Sequence, residues 1–370
     1  MTGDCDPRFS AVREAFAENF RARAEHGAAV AVWLEGEPVV DLWGGFADAK
    51  RTRQWQQDTI VCMMSVAKGF VALCAHMLAD RGQIDLDAPV VRYWPEFSGK
   101  DSVLVRHLLD HRAGLPAIDK PLPAGAIYDW NAMVGALAGQ PPLFAPGSDR
   151  ADQSVTMGFL VGEVVRRVTG RTLGRFLREE IAEPLGLDYH IGLPRPQHRR
   201  CADFITVLEG SFFDASDPAS LRARALAQLP VAAFNDPEFR LAEIPAINGH
   251  GSARAVARLY GALAMGGEAA GIRLLSRDAL ERATAEQWRG TELLLGRERR
   301  MALGFVLNLP SFVPMGPNPR SFGHAGAGGA IGFADPEARL GFAYAPNRMH
   351  SGMSVSPRLQ HLVDAVFRSL

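Results

Sequence analysis

In "MMSVAKGF", residues 63–70, Ser65 and Lys68 stand three positions apart. A lysine amine that has lost its proton can take the hydroxyl proton of a neighbouring serine and turn it into a nucleophile. The 370-residue chain holds 17 Ser and 4 Lys. Chance would supply about 0.2 Ser-x-x-Lys matches in such a composition, and the chain has one. Of the 40 basic residues, the 4 lysines leave 36 arginines. A guanidinium stays protonated and cannot serve as a base, so Lys68 marks a place that calls for lysine chemistry rather than positive charge alone. On a helix the two side chains share a face about one turn apart, and burial would bring the amine's pKa down towards a useful range. The pair by itself also fits a serine N-cap at an ordinary helix start.

The elements that must position this pair can be read from periodicity. "FSAVREAFAENFRAR" predicts an N-terminal helix, and "GAAVAVWLEGEPVVDLWGGFAD" alternates apolar residues about Glu35-Gly36-Glu37, as a hairpin does. From Ser65 onward, Val66, Phe70, Leu73, Cys74, Met77 and Leu78 recur at three and four, which predicts an amphipathic helix ending near "RGQ". The stretch to about residue 245 reads as mostly helical, with "TMGFLVGEVVRRVTG" and "LGRFLREEIAEPLG" as its clearest segments. Beyond it come a helix, "ARAVARLYGALAMGG", then strands in "MALGFVLNL", "AIGFADPE" and "RLGFAYAPN", and a closing helix, "PRLQHLVDAVFRSL". Strands at both ends with helices between predict one α+β sheet domain built from residues 1–75 and 246–370, with residues 76–245 as an inserted helical domain.

Composition narrows the function. A formal net charge of -1 gives no electrostatic footprint for nucleic acid. No apolar run approaches the roughly 18 to 20 residues of a membrane span, and "MTGDCDPRFS" lacks the basic and apolar regions of a secretory signal. A cytoplasmic location is expected. Cys5, Cys62, Cys74 and Cys201 form no C-x-x-C pair and suit reduced thiols.

Four segments, "SVAKGF", "VRHLLDHRAGL" at 105–115, "PG" at 146–147 ahead of "GFLVGEVVRRVTGRTLGRFLREEIAEPLGL", and "FGHAGAGGAIGFADPE" at 322–337, occur in the order found in the serine beta-lactamase and penicillin-binding-protein superfamily. The chain resembles its class C-like esterases, the family VIII carboxylesterases, from about residue 10 to 368. The resemblance implies a beta-lactamase-like antiparallel sheet flanked by helices, an inserted all-helical region, and a site in the cleft between them. It implies Ser65 as nucleophile and Lys68 as the residue that activates it. His324-Ala325-Gly326 would fill the place of the third motif on the strand edging the cleft, with Gly326 against the substrate. The backbone N–H groups of Ser65 and Ala327 would form the oxyanion hole, which stabilises the charge developing on the attacked carbonyl oxygen.

The second motif departs from that family. Members carry a tyrosine shortly after the "PG" turn, and counting from Pro146-Gly147 and back from Gly162 puts Asp152 there. A carboxylate is already ionised at neutral pH, whereas a phenol of pKa near 10 can relay a proton. An ionised Asp152 would pair with Lys68 and hold the proton on the amine. Three outcomes are open: Asp152 accepts the serine proton, His324 takes over the relay with a pKa suited to neutral pH, or the site is weak or silent. Tyr128 in "AIYDWNAM" could supply a hydroxyl from another loop or could simply pack beside Trp130. Ser148-Asp149-Arg150 reads as a turn after Pro-Gly.

Other chemistries lack their signatures. His107 and His111 stand four apart, but without the Glu of H-E-x-x-H, so no metal is expected; G-x-S-x-G, Walker A and an intact G-x-G-x-x-G are absent, so no cofactor is expected. The arginines of "VVRRVTGRTLGRFLREE" read as a solvated face. Two function classes remain. One is a serine hydrolase that cleaves small-acyl esters through a Ser65 acyl-enzyme, with weak lactam hydrolysis as a side activity. The other is a repurposed relative, an acyl transferase, other biosynthetic enzyme or binding protein, motivated by Asp152. The expected partner is a small-molecule ester rather than nucleic acid or membrane, and a homo-oligomer is left open.

Overall fold

The computed structural model of the protein describes residues 1–214, 216–351 and 356–370. Its main sheet contains β1 Thr2–Cys5, β2 Gly27–Leu34, β3 Glu37–Gly45, β4 Trp288–Thr291, β5 Glu298–Met301, β6 Val306–Leu307, β7 Phe322–Ala325, β8 Ile331–Asp335 and β9 Leu340–Pro346. In space the order is β1-β3-β2-β9-β8-β7-β6-β5-β4, with every neighbouring pair antiparallel. The two ends of the chain meet where β2 pairs with β9, from Leu340↔Leu34 to Pro346↔Ala28. One sheet is thus assembled from both termini.

Alternation decides what each face of that sheet can pack. Val30, Val32, Phe342 and Tyr344 point to one face, where they join Val12 and Phe16 of α1 (Ser10–Ala22) and Leu362 and Val366 of the closing helix Pro357–Arg368. Ala31, Ala343 and Ala345 occupy the other face with Gly332 and Gly341, and their small size lets the helix Ala253–Ala264 lie close against the sheet. A Cβ on Gly341 would stand 2.2 Å from Gly261 N, so a side chain there would force the helix away.

The helix that carries Lys68 differs from its sequence reading. α2 begins at Ala67 and runs to Asp80, after a 3₁₀ turn over Met64–Val66 that holds Ser65. Every residue from Ala67 to Leu78 is buried, so the helix is not amphipathic. A helix packed on all sides needs apolar residues all round, and the i, i+3, i+4 apolar positions account for part of its surface only. Two further differences concern strands. "MALGFVLNL" is not continuous: Met301 ends β5, Gly304 turns with φ 83, and β6 starts at Val306. β1 pairs with β3 from Thr2↔Trp43 to Cys5↔Val40, although its four residues show no apolar alternation.

The largely helical stretch between the two groups of strands sends one short strand, Tyr189–Ile191, into a small sheet with Gly249–Gly251 and Val61–Cys62. Val61–Cys62 leads directly into the Ser65 turn, so this sheet ties the helical stretch to the nucleophile's approach. Among the described residues no helix is long and apolar enough to cross a membrane.

Candidate active site

Ser65 is placed by a strained entry to α2. Met63 N donates to Gly249 O at 2.9 Å, which continues the small sheet, and Met64 then adopts a left-handed backbone with φ 49. A non-glycine residue there costs roughly 1–2 kcal/mol, and such strain gathers where the surroundings impose a functional geometry. The turn leaves Ser65 lining a cavity of about 170 Å³.

Lys68, 1% exposed, lies beneath it. Its Nζ is 2.8 Å from Ser65 Oγ, 2.9 Å from Ser154 O and 3.1 Å from Ala246 O. A carbonyl oxygen can only accept, so two N–H bonds of the amine are committed to Ser154 and Ala246. The third position then faces Ser65 Oγ, as an N–H when the group is charged and as a lone pair when it is neutral. Burial lowers the Lys68 pKa to about 8, with Asp152 opposing the fall and Arg150 adding to it. A useful fraction of neutral amine is therefore present near neutral pH.

This overturns the expectation that Asp152 pairs with Lys68 and locks its proton in place. No ion pair joins them among the described residues. Asp152 Oδ1 instead accepts from Ser154 Oγ at 2.9 Å, and its Oδ2 lies 3.5 Å from Arg150 Nη2. Asp152 is held well below the usual carboxylate range: burial opposes the charge, but His111 when protonated, then Lys68 and Arg150, outweigh it. It is an ionised neighbour whose field raises the amine's pKa less than burial lowers it. Replacing it with Asn removes that field. We expect Asp152→Asn to move the alkaline rise of kcat/KM to lower pH by about one unit, as read from a pH–rate profile.

His324 lines the cavity and is 6% exposed. Its Nδ1 is 2.9 Å from Ala325 O, which requires the proton on Nδ1 and leaves Nε2 as an acceptor. Burial, then the charge of Lys68, lowers its pKa to about 3. The expectation of a relay titrating near neutrality is thus corrected, because desolvation of the imidazolium dominates. His324 acts here as a neutral ring.

The glycine-rich segment after β7 comes very close to the nucleophile turn. A Cβ on Gly326 would stand 2.2 Å from Met63 O, so glycine is required for that approach. Gly326 N donates to Ala330 O at 2.7 Å, which curls the segment back, and Ala327 N–H donates to no acceptor among the described residues. Ser65, Gly326 and Ala327 line the same cavity.

Ser65, Asp152, His324, Gly326 and Ala327 are thus brought to one cavity, with Lys68 directly behind Ser65. Tyr128 is not. It lies on the short turn Ala126–Tyr128, is 37% exposed, and stands outside the cavity wall, where burial and then the carboxylates of Asp236 and Glu238 raise its pKa. Three residues to which sequence reasoning gave no part in this site stand at or beside it. His111, buried with φ 65, accepts at Nδ1 from Gln153 N at 2.8 Å and is electrostatically coupled to Asp152. Arg150 and Arg299 line the cavity. The signal for His111 was present in its spacing from His107 but was weighed only as a metal motif. His107 accepts at Nδ1 from Leu104 N at 3.2 Å, closing the first turn of its own helix.

An antiparallel sheet flanked by helices, with a serine and a lysine at the start of a buried helix beside a glycine-lined strand end, is the architecture of one large family of acyl-transferring serine enzymes. The chain matches the Beta-lactamase family over residues 13–367 and belongs to it. It is 37% identical over 366 residues to the Esterase/beta-lactamase LipL of Mycobacterium tuberculosis (strain ATCC 25618 / H37Rv), covering 94% of this chain and 83% of that protein. A solved family VIII carboxylesterase superposes with a TM-score of 0.92 at 41% identity, over 100% of this chain and 99% of that one. A penicillin-binding protein homologue from Caulobacter crescentus superposes with a TM-score of 0.90, also at 41% identity, over 100% and 99% of the two chains.

Proposed function

We propose that this protein is a serine carboxylesterase that cleaves small-acyl esters through an acyl-enzyme on Ser65. The observation that carries the reading is the Lys68 amine, anchored by two carbonyl acceptors with its third position 2.8 Å from Ser65 Oγ. The esterase named among its relatives, and the family VIII carboxylesterase fold at 41% identity, support the same reaction.

In the first half-reaction Ser65 Oγ bonds to the ester carbonyl carbon while its proton passes to Lys68 Nζ. The carbonyl oxygen becomes an oxyanion between the N–H groups of Ser65 and Ala327. As the tetrahedral species collapses, the carbon–oxygen bond to the alcohol breaks and the leaving oxygen takes the proton from Lys68. Water then attacks the acyl-enzyme with Lys68 again as base, and the acid leaves with Ser65 restored. Asp152 supplies negative potential beside the ammonium that forms in both steps, while His324, as a neutral ring, shapes the wall. The cleft lies between the sheet-bearing part, residues 1–75 and 246–370, and the helical part, residues 76–245. Weak lactam opening would follow the same steps. The repurposed alternative was motivated by Asp152 in place of the family's tyrosine; Asp152 turns to Ser154 and Arg150 rather than forming an ion pair with Lys68, and the esterase relatives favour the hydrolase. Four free cysteines fit a cytoplasmic setting.

The test is active-site labelling with turnover. A fluorophosphonate should form one adduct on the peptide carrying Ser65, and the same preparation should hydrolyse p-nitrophenyl butyrate. Absence of the adduct, with equal turnover by wild type and Ser65→Ala, would refute the proposal.

A further inference from the structure

Ser154 is buried and lines the cavity with Ser65 and Asp152. It touches both the amine and the carboxylate of the site. Its carbonyl oxygen accepts from Lys68 Nζ at 2.9 Å, and its hydroxyl donates to Asp152 Oδ1 at 2.9 Å. The direction of the second bond is fixed, because an ionised carboxylate can only accept.

The backbone on either side is held without that hydroxyl. Asp152 N donates to Glu292 Oε2 at 3.2 Å, Gln153 N to His111 Nδ1 at 2.8 Å, and Met157 N to Gln153 O at 3.1 Å. Gln153 Nε2 donates to Leu108 O at 3.0 Å. These bonds leave open the torsions of the Asp152 side chain, which two contacts set. One is the Ser154 hydroxyl on Oδ1. The other is Arg150 Nη2, 3.5 Å from Oδ2 and so too far for a good hydrogen bond. The carboxylate oxygens change place by several ångströms between staggered rotamers. With His111 neutral, Lys68 pulls on that carboxylate more strongly than Arg150 does, so an unheld Asp152 would turn to the amine.

The other groups facing the amine are Arg150 on the same segment, His111 after the helix Val105–Leu109, and His324 on β7. Burial keeps both imidazoles neutral near pH 7. Glu292, after β4, and Arg299, in β5, stand against Asp152 and Arg150. Asp152 is thus the one anion that a side-chain rotation could bring towards Lys68.

We propose that Ser154 is a positioning residue: its hydroxyl keeps the Asp152 carboxylate turned away from the same amine that its carbonyl receives, and so sets how firmly Lys68 holds its proton. This rests on the reading of Lys68 as the base for Ser65. An alanine at 154 keeps the carbonyl and removes only the restraint on Asp152. An opposite charge brought closer in a poorly solvated site favours the ammonium, by about one pH unit.

The test reads Lys68 directly. The chain has 4 lysines, so a protein grown with lysine isotopically enriched at Cε gives few signals, and the one missing from Lys68→Met belongs to Lys68. Its titration, followed by NMR, should centre near 8 in the wild type. In Ser154→Ala it should move up by about one unit, and in Asp152→Asn down. In the double variant it should match Asp152→Asn alone, because the hydroxyl has no carboxylate left to restrain; a merely structural serine would not show that dependence. At pH 7, kcat/KM of Ser154→Ala for p-nitrophenyl butyrate should fall about tenfold and be regained in alkali. An unmoved or lowered midpoint in Ser154→Ala would overturn the proposal. So would a rise that persists in the double variant. Ser65-dependent turnover with an unmoved midpoint would leave the esterase standing and sink this inference alone. If no ester is turned over, the titration still decides, since it needs no substrate.

Discussion

Lys68→Met is expected to lower kcat/KM for p-nitrophenyl butyrate by about a thousandfold, and Ser65→Ala by at least as much. Loss of a positioned general base costs typically 10²- to 10⁴-fold, and here the same amine serves both half-reactions. The double variant should be no worse than the poorer single one, because the two side chains act as one unit and their losses do not add. Methionine keeps most of the lysine's volume, so the packing of α2 is largely retained. In the wild type, kcat/KM should rise with pH through about 8, where Lys68 loses its proton. The sign follows from burial: desolvation disfavours the ammonium, so the neutral base appears well below the ordinary lysine range. Lys68→Met should lose that limb altogether. A variant that keeps both its rate and its pH limb would mean the serine proton goes elsewhere, with Asp152, which lines the same cavity, the first group to examine.

Gly326→Ala is expected to cost about a hundredfold in kcat/KM through the backbone alone. The added Cβ would lie 2.2 Å from Met63 O and 3.2 Å from Met64 Cβ, and the first of these is a backbone atom in a turn already strained at Met64. The segment after β7 must then move away from Ser65 by about an ångström, and a displacement of that size is enough to cost a hundredfold in rate. The N–H of Ala327 moves with it, and losing one oxyanion donor costs a comparable or larger amount. Labelling of Ser65 by a fluorophosphonate should slow in parallel, since that reaction develops charge on an oxygen in the same place. Stability should fall by about 1–3 kcal/mol, measured by urea denaturation, as for other overpacked sites. Near-native turnover and labelling in Gly326→Ala would show that this strand end does not hold the oxyanion.

The residue types and local order of the site were legible because they are short-range properties. Ser65 and Lys68 are three residues apart, and their relation survives any arrangement of the rest of the chain. The β2–β3 hairpin, the helix Thr156–Thr169 and the closing helix were readable for the same reason: their periodicity is written within a dozen residues. The order of the elements, strands at both ends with helices between, then carried the sheet and the inserted helices, and the family's segment order agreed with it. β1 escaped notice because pairing with β3, rather than any pattern of its own, makes it a strand.

Protonation and reach were decided by tertiary structure. The carbonyls that anchor Lys68 come from Ser154 and Ala246, 86 and 178 positions away, and the burial that sets its pKa is a property of the whole packed interior. Asp152 was identifiable as an odd residue, but whether it would grip Lys68 or turn to Ser154 and Arg150 depended on distances that sequence does not encode. His324 and Tyr128 depart from the roles weighed for them for one reason each: burial pulls the imidazole's pKa below neutrality, and the phenol lies outside the cavity that Ser65 lines. The chain's chemistry was written in its sequence; the charge states of that chemistry, and the arginines that surround it, came from folding, because desolvation and long-range approach exist only once distant segments have met.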